Sequence, residues 1–225
     1  MRSGTILGCL IVSLAAGLAP ARAGERLSLV FVGDTGLNAS GARVLPDGGF
    51  KSGQVLPFDD ALGDIKPLLK GDVVFANLET VVTDNNKITP RDKMFVFRTH
   101  PEGVRALLGA GINVTSTANN HVMDFGATGA GETLKNMEVM GREGLLAWPG
   151  LGRSVEEALT PQLFSAGGVK IAISAFGIGG GGLPASQGSA GTLRGDENFR
   201  SLAKRLAGIR AGLRILSVHY GQEFA

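Results

Sequence analysis

The sequence predicts an α/β fold with a mixed sheet, and three observations carry that expectation. Short apolar runs rich in Val and Ile alternate with stretches whose apolar residues recur at helical spacing. Two of the runs face each other across Gly167-Gly168 and read as an antiparallel hairpin inside that alternation, which makes the sheet mixed. Several runs finish in carboxylate, amide or imidazole side chains, and open α/β sheets place ligands at the carboxyl ends of their strands.

The chain has 225 residues, 44% of them hydrophobic, which is room for one generous domain. Residues 1–23 read as a secretory leader. Arg2 lies near the start, an apolar stretch covers 6–18, and Ala21-Arg22-Ala23 is a small-x-small cleavage site. The apolar stretch is short for a bilayer span, although an uncleaved leader would associate the chain with a membrane. Leu7-Gly8-Cys9 resembles a lipoprotein site only faintly, because just eight residues precede the Cys. The expected mature domain is therefore 24–225, exported to the periplasm or cell surface. Cleavage would remove Arg2 and Arg22 from the 22 basic residues and leave 20 against 20 acidic ones. That neutral balance gives no reason to expect a nucleic-acid partner. The single Cys also lies in the leader, so stability must come from an apolar core rather than a disulfide. The 35 glycines, about twice the usual share, then point to tight turns.

In order, residues 27–32 form a strand that runs into Gly33-Asp34, and 41–57 is a Gly- and Pro-containing loop. Leu62, Ile65, Leu68 and Leu69 have helical spacing over 59–69, disturbed by Pro67 and stopped by Gly71. A buried strand over 72–76 leads into Asn77-Leu78-Glu79. Asn85-Asn86 and Pro90 mark a loop, and 94–97 alternates as a short strand. His100 reads as a structural or surface residue, with Pro101 opening a helix over 102–108. An apolar run over 112–117 follows, then Ala118-Asn119-Asn120-His121-Val122-Met123-Asp124-Phe125-Gly126. Ala127, Ala130, Leu134 and Met137 make the next helical stripe, with Met137 and Met140 as core filler. Residues 145–148 read as a short strand, and Ser154 as a helix cap. The hairpin occupies 162–166 and 169–176. The glycines at 179–182 match no phosphate-binding pattern and read as a flexible loop. An amphipathic helix over 196–212 turns Phe199, Leu202, Leu206 and Ile209 inward and leaves Lys204, Arg205 and Arg210 in solvent. The last strand, 213–218, ends in His219-Tyr220-Gly221-Gln222-Glu223.

Each polar strand end has a bland alternative: Asp34 as a helix cap, Glu79 as a surface turn residue, Asn119-Asn120 as an Asx turn. Together they suggest convergence, because the carboxyl ends of neighbouring strands in a wound sheet lie side by side. Asp34, Glu79, Asn120 with His121, and His219 with Glu223 would offer oxygen and imidazole donors suited to a divalent cation.

Gly33-Asp34, Asn77-Leu78-Glu79, the Ala-Asn-Asn-His-x-x-Asp-x-Gly run at 118–126 and the His-Tyr-Gly-Gln-Glu run at 219–223 resemble the CapA family. That family serves capsule and poly-γ-glutamate biosynthesis, and its fold is similar to calcineurin-like metallophosphoesterases. The resemblance covers 27–225 and implies a layered α/β/β/α sandwich with mixed sheets. It implies Asp34, Glu79, Asn120 and His219 as ligands of a divalent metal ion, with Mn, Zn, Fe and Mg not distinguished. It implies His121 as a general acid or transition-state donor, and Asp124 and Glu223 as groups that orient imidazoles. Phosphoesterases carry a His two residues after the first Asp, where this chain has Gly36. The family also continues past the His219 strand to a Gly-His-x-Pro-His motif, so the domain is expected to lack its C-terminal part. The expected function is a metal-dependent, hydrolase-like capsule or poly-γ-glutamate protein of the envelope, acting with the polymer or its biosynthetic complex. The alternatives are a non-catalytic assembly or export component, and a periplasmic phosphoesterase.

Overall fold

A computed structural model describes residues 26–37, 44–46, 48–51, 54–178, 184–186 and 189–221. The expected leader, the glycines at 179–182 and Glu223 lie outside the described residues. The axis of the fold is β4 (Val73–Leu78), a strand buried along its whole length. A strand covered on both faces reads as a continuous apolar run, and Val-Val-Phe-Ala is one. It is flanked in parallel by β1 (Leu29–Thr35) and β7 (Val114–Ser116), in the order β1-β4-β7. Val74, Ala76 and Leu78 pack with Leu107 of α2 (Pro101–Ala110) and with Met137 and Met140 of α3 (Gly126–Arg142). Val73 and Phe75 point the other way, as the two-residue period of a strand requires.

That second face meets another sheet. It is built from β8 (Gln162–Ala166), β9 (Val169–Ile178) and β10 (Leu213–Tyr220), in the order β10-β9-β8. Val73, Phe75 and Val114 bury Ile171 and Ile173 of β9 between the sheets. Each such side chain contributes about 1.5–3 kcal/mol of burial. The outer face of the second sheet is closed by α4 (Val155–Leu159) and α5 (Gly195–Gly208) through Leu159, Phe176 and Leu202. The layers are therefore α/β/β/α. The first sheet is wholly parallel. The mixed character expected from the hairpin belongs to the second sheet, where β9 pairs antiparallel with β8 and parallel with β10. Gly167 and Gly168 have φ of 52° and 74°, the left-handed pair that a two-residue hairpin turn needs.

Several expectations need correction. The loop expected over 41–57 contains a hairpin, β2 (Gly48–Lys51) paired with β3 (Gln54–Pro57). The helix expected over 59–69 is α1 (Phe58–Leu62) followed by a separate 3₁₀ turn, Lys66–Leu68. Pro67 sits in the first turn of that 3₁₀ segment, where it interrupts helical hydrogen bonding. Residues 94–97 form no strand; the pairing lies at β5 (Val81–Val82) with β6 (Arg98–Thr99). Residues 145–148 reduce to one bridge, Ala147 with Val114. Two helix caps are present. His100 Nδ1 accepts from the Glu102 N–H at 3.1 Å, and Ser154 Oγ from the Glu157 N–H at 3.1 Å. Among the described residues, no helix is long and apolar enough to cross a membrane.

Candidate metal centre

A register slip between the first two strands of the parallel sheet aims the first carboxylate. Phe31 stands opposite Phe75, but Asp34, not Gly33, stands opposite Asn77. One extra residue on β1 therefore shifts Asp34 onto the face shared by Phe75 and Asn77, the face toward the second sheet. Bulges of this kind bend a strand and re-aim its side chains. On β10, His219 lies four residues beyond Ile215 and so faces the same gap from the other side. The site thus straddles two sheets, whereas the sequence suggested one rim of a single wound sheet.

The result is a close group. Donor atoms of Asp34, Glu79 and His219 lie within 4.8 Å of one another. His219 Nδ1 is 3.6 Å from Asp34 Oδ1, and His219 Nε2 is 3.8 Å from Glu79 Oε1. Two ligands of one ion, each at about 2.0–2.2 Å, stand at most ~4.4 Å apart, so these separations suit a divalent cation. Two carboxylates and an imidazole also match its donor preference. Asn120 Oδ1 joins them at 2.9 Å from His219 Nε2. His121 approaches Glu79 Oε1 with Nε2 at 3.9 Å, while its Nδ1 donates to Asp124 Oδ2 at 2.6 Å. The structure therefore gathers Asp34, Glu79, Asn120, His121, Asp124 and His219 in one place. Asp34 keeps 59% of its side chain exposed against 16% for Glu79, so the group opens to solvent on the Asp34 side.

Two asparagines to which the sequence assigned no part in the site, Asn77 and Asn119, organise this group. Asn119 Oδ1 accepts the backbone N–H groups of His121 and Val122, at 3.2 and 2.9 Å. Its Nδ2 must then turn outward, where it donates to Asn77 Oδ1 and to the Leu78 carbonyl at 3.1 and 2.9 Å. That in turn forces Asn77 Nδ2 toward the centre, donating to Asp34 Oδ1 at 2.7 Å and lying 3.1 Å from His219 Nδ1. With Nδ1 accepting from Asn77, His219 donates through Nε2 to Asn120 Oδ1. The amide orientations and the His219 tautomer follow from this chain of donors and acceptors. In this arrangement the Asn77 amide gives Asp34 and His219 the positive partner that a cation would otherwise supply. The signal was available: Asn77 is the penultimate residue of β4, two before Glu79 and opposite Asp34 on the neighbouring strand.

The turn carrying Asn119 to Asp124 is held on two sides. Thr117 Oγ1 donates to the carbonyl of Pro149 and accepts from the Leu151 N–H, at 3.1 and 2.9 Å. Gly150, at φ 130°, brings the 149–151 backbone so close that a Cβ there would stand 2.4 Å from the Ala118 nitrogen. On the other side Phe97 stacks on the His121 ring, centroids 4.0 Å apart and 29° between planes. Asp124 is fully buried and accepts from Lys93 Nζ at 2.6 Å and from the Phe97 N–H at 2.7 Å as well as from His121. This explains why 94–97 forms no strand: the Phe97 N–H serves Asp124 instead of a ladder. Beside the turn, Arg98 lies over the Phe125 ring at 5.0 Å, and burial pushes its guanidinium below the ordinary arginine range.

The chain is similar to proteins named for capsule or polymer synthesis. The chain is 27% identical over 168 residues to the PGA biosynthesis protein CapA of Bacillus subtilis, covering 71% of this chain and 42% of that protein. It is 24% identical over 211 residues to the capsule biosynthesis protein CapA of Bacillus anthracis, covering 90% and 48%. It is 28% identical over 165 residues to a protein of Mycobacterium tuberculosis named as a probable polyglutamine synthesis accessory protein, covering 68% and 42%. The chain thus spans somewhat under half the length of these relatives. The family model described as bacterial capsule synthesis protein PGA_cap matches residues 28–225, a span that takes in the two-sheet sandwich and the group around His219, and the chain belongs to that family.

Proposed function

We propose that the chain is a CapA-type protein of capsule or poly-γ-glutamate synthesis in the cell envelope, and that the group around His219 is a metal-dependent hydrolytic centre. The observation that carries this reading is the gathering of Asp34, Glu79 and His219 donor atoms within 4.8 Å of one another, with His121 presenting Nε2 to the same Glu79. Asp34, Glu79, Asn120 and His219 would hold the divalent cation. A bound cation of this kind polarises a phosphoryl or carbonyl oxygen and lowers the pKa of a water.

The chain's own residues do the rest. Asp124 fixes His121 with its hydrogen on Nδ1, and Phe97 holds the ring plane, so Nε2 is the edge turned to the centre to give or take a proton at a bound oxygen. Asn77 would give up its contact with His219 if that imidazole held a cation, because a neutral imidazole has one acceptor lone pair, whereas the Asp34 carboxylate has enough for both partners. The substrate classes proposed are phosphoesters and γ-glutamyl amides, whose phosphoryl or carbonyl oxygen such a cation would polarise.

A second reading, a non-catalytic assembly component, is favoured by the naming of the Mycobacterium tuberculosis relative as a probable synthesis accessory protein. Metal content of the purified protein, with turnover of a generic phosphoester and of poly-γ-glutamate by wild type and His121→Ala, separates the two. Bound divalent metal with turnover lost in His121→Ala supports the hydrolase. Absence of metal, with any measured turnover indifferent to His121→Ala, leaves the assembly role.

A further inference from the structure

The segment between β5 and β6 touches the candidate centre at five points. The Arg91 N–H donates to the Asp124 carbonyl at 2.7 Å, the Phe97 N–H donates to the Asp124 carboxylate, and the Phe97 ring covers His121. Lys93 supplies the other two. Its ammonium donates to Asp124 Oδ1 at 2.6 Å and to the Asn120 backbone carbonyl at 3.0 Å. Between them Met94 stands 84% exposed, so it is not side-chain burial at that position that seats the segment. The Phe97 carbonyl, accepting from the Val81 N–H at 3.2 Å, ties its far end to β5.

One nitrogen therefore bridges two groups with different duties. Asp124 orients His121, and Asn120 is the residue whose side-chain oxygen meets His219. We propose that Lys93 is a positioning residue: by joining the Asp124 carboxylate to the Asn120 carbonyl, it sets Asn120 and His121 at one spacing relative to Glu79 and His219. A lysine suits this task because a single ammonium can direct several N–H bonds from one point, whereas arginine spreads its donors over a planar fork. The role presupposes the cation site proposed above in one respect only, the effect on metal affinity.

The test uses the full chain, which has three histidines, His100, His121 and His219, and one cysteine, Cys9. Side-chain ¹⁵N–¹H spectra of the histidines are recorded without metal at one fixed pH near 8, above the usual histidine range, and Mn²⁺ affinity is measured by calorimetry. In Lys93→Met the His219 Nε2 signal is expected to move, because Asn120 no longer accepts from it in the same geometry. Mn²⁺ affinity is expected to fall roughly 10- to 100-fold, the range seen when groups that orient metal ligands are removed. Lys93→Cys in a Cys9→Ser background should do the same. Alkylating the introduced thiol with 2-bromoethylamine rebuilds an ammonium at lysine's reach and should restore both readouts.

Lys93→Arg keeps the charge beside Asp124, so it remains informative if Lys93→Met does not fold, and it too should move the His219 signal. An unchanged His219 signal and unchanged Mn²⁺ affinity, in whichever of these variants folds, overturns the role. A wild-type chain that binds none of Mn²⁺, Zn²⁺, Fe²⁺ and Mg²⁺ sinks the metal site itself, and the His219 signal then decides the Lys93 question alone.

Discussion

Replacing Asp124 by Ala should cost more stability than any other single change around the centre. The carboxylate is fully buried and receives three hydrogen bonds of 2.6–2.7 Å, from Lys93, the Phe97 N–H and His121. Deleting it leaves the Lys93 ammonium without its counter-charge, and breaking a buried pair from one side costs about 3–5 kcal/mol. The Phe97 N–H is stranded as well, at about 1–3 kcal/mol for a buried unsatisfied donor. The two do not simply add, because the Lys93 side chain is 19% exposed and water reaches it. The expected loss is thus about 4–5 kcal/mol, a large part of the 5–15 kcal/mol by which domains are usually stable. Asp124→Asn keeps the shape and one acceptor oxygen and should lose about half as much. Urea unfolding at neutral pH measures both, with the denaturant slope checked for constancy. A loss below about 1.5 kcal/mol in Asp124→Ala at unchanged slope would show that the three contacts do not anchor the turn, and would refute the reasoning from a buried ion pair broken on one side.

Gly150→Ala should lose about 2–4 kcal/mol, from a positive φ that L-residues resist and from a methyl 2.4 Å from the Ala118 nitrogen; thermal melts of the variant check it. Ile173→Ala, between the sheets and 0% exposed, should lose about 2–5 kcal/mol, whereas Leu163→Ala on β8, 47% exposed, should stay within about 1 kcal/mol; parallel urea titrations compare them. The Arg105 guanidinium beside Glu143 holds that carboxyl below the usual range. A depressed folded pKa stabilises above the unfolded value, about 4.3, and the contribution is lost as pH falls through the folded one. Glu143→Gln should therefore flatten the acid side of the melting-temperature profile below about pH 4.3 and leave its slope at pH 6–8 unchanged.

Much of the fold was legible where a residue's local chemistry and its final environment agree. The buried run at β4, the Gly167-Gly168 turn and the cap at Ser154 each state their structure within a few residues. The polar strand ends of the first sheet were legible for the same reason, since Asp34 and Glu79 need only the parallel pairing of β1 with β4, whereas His219 joins them from the other sheet. What stayed hidden was set by partners distant in sequence. Residues 94–97 have the alternation of a strand, but their backbone is claimed by Asp124, 27 residues beyond Phe97. The slip that turns Asp34 inward leaves no mark in composition, because it depends on how β1 meets β4. The task of Asn77 follows only from the orientation of Asn119, 42 residues away. The two facing sheets were expected from the family resemblance, but no periodicity states them; they rest on packing, as where Phe75 and Ile173 share one core.

The seat of His219 on the second sheet, opposite Asp34 and Glu79 at the ends of first-sheet strands, would make the proposed cation site a clasp across the sandwich. An ion held there would be retained only while the two layers are docked, so ion occupancy and layer docking would be thermodynamically linked. Loosening the packing at Ile173, far from any ligand, would then surface as faster ion loss, and ion binding would in turn slow the parting of the layers.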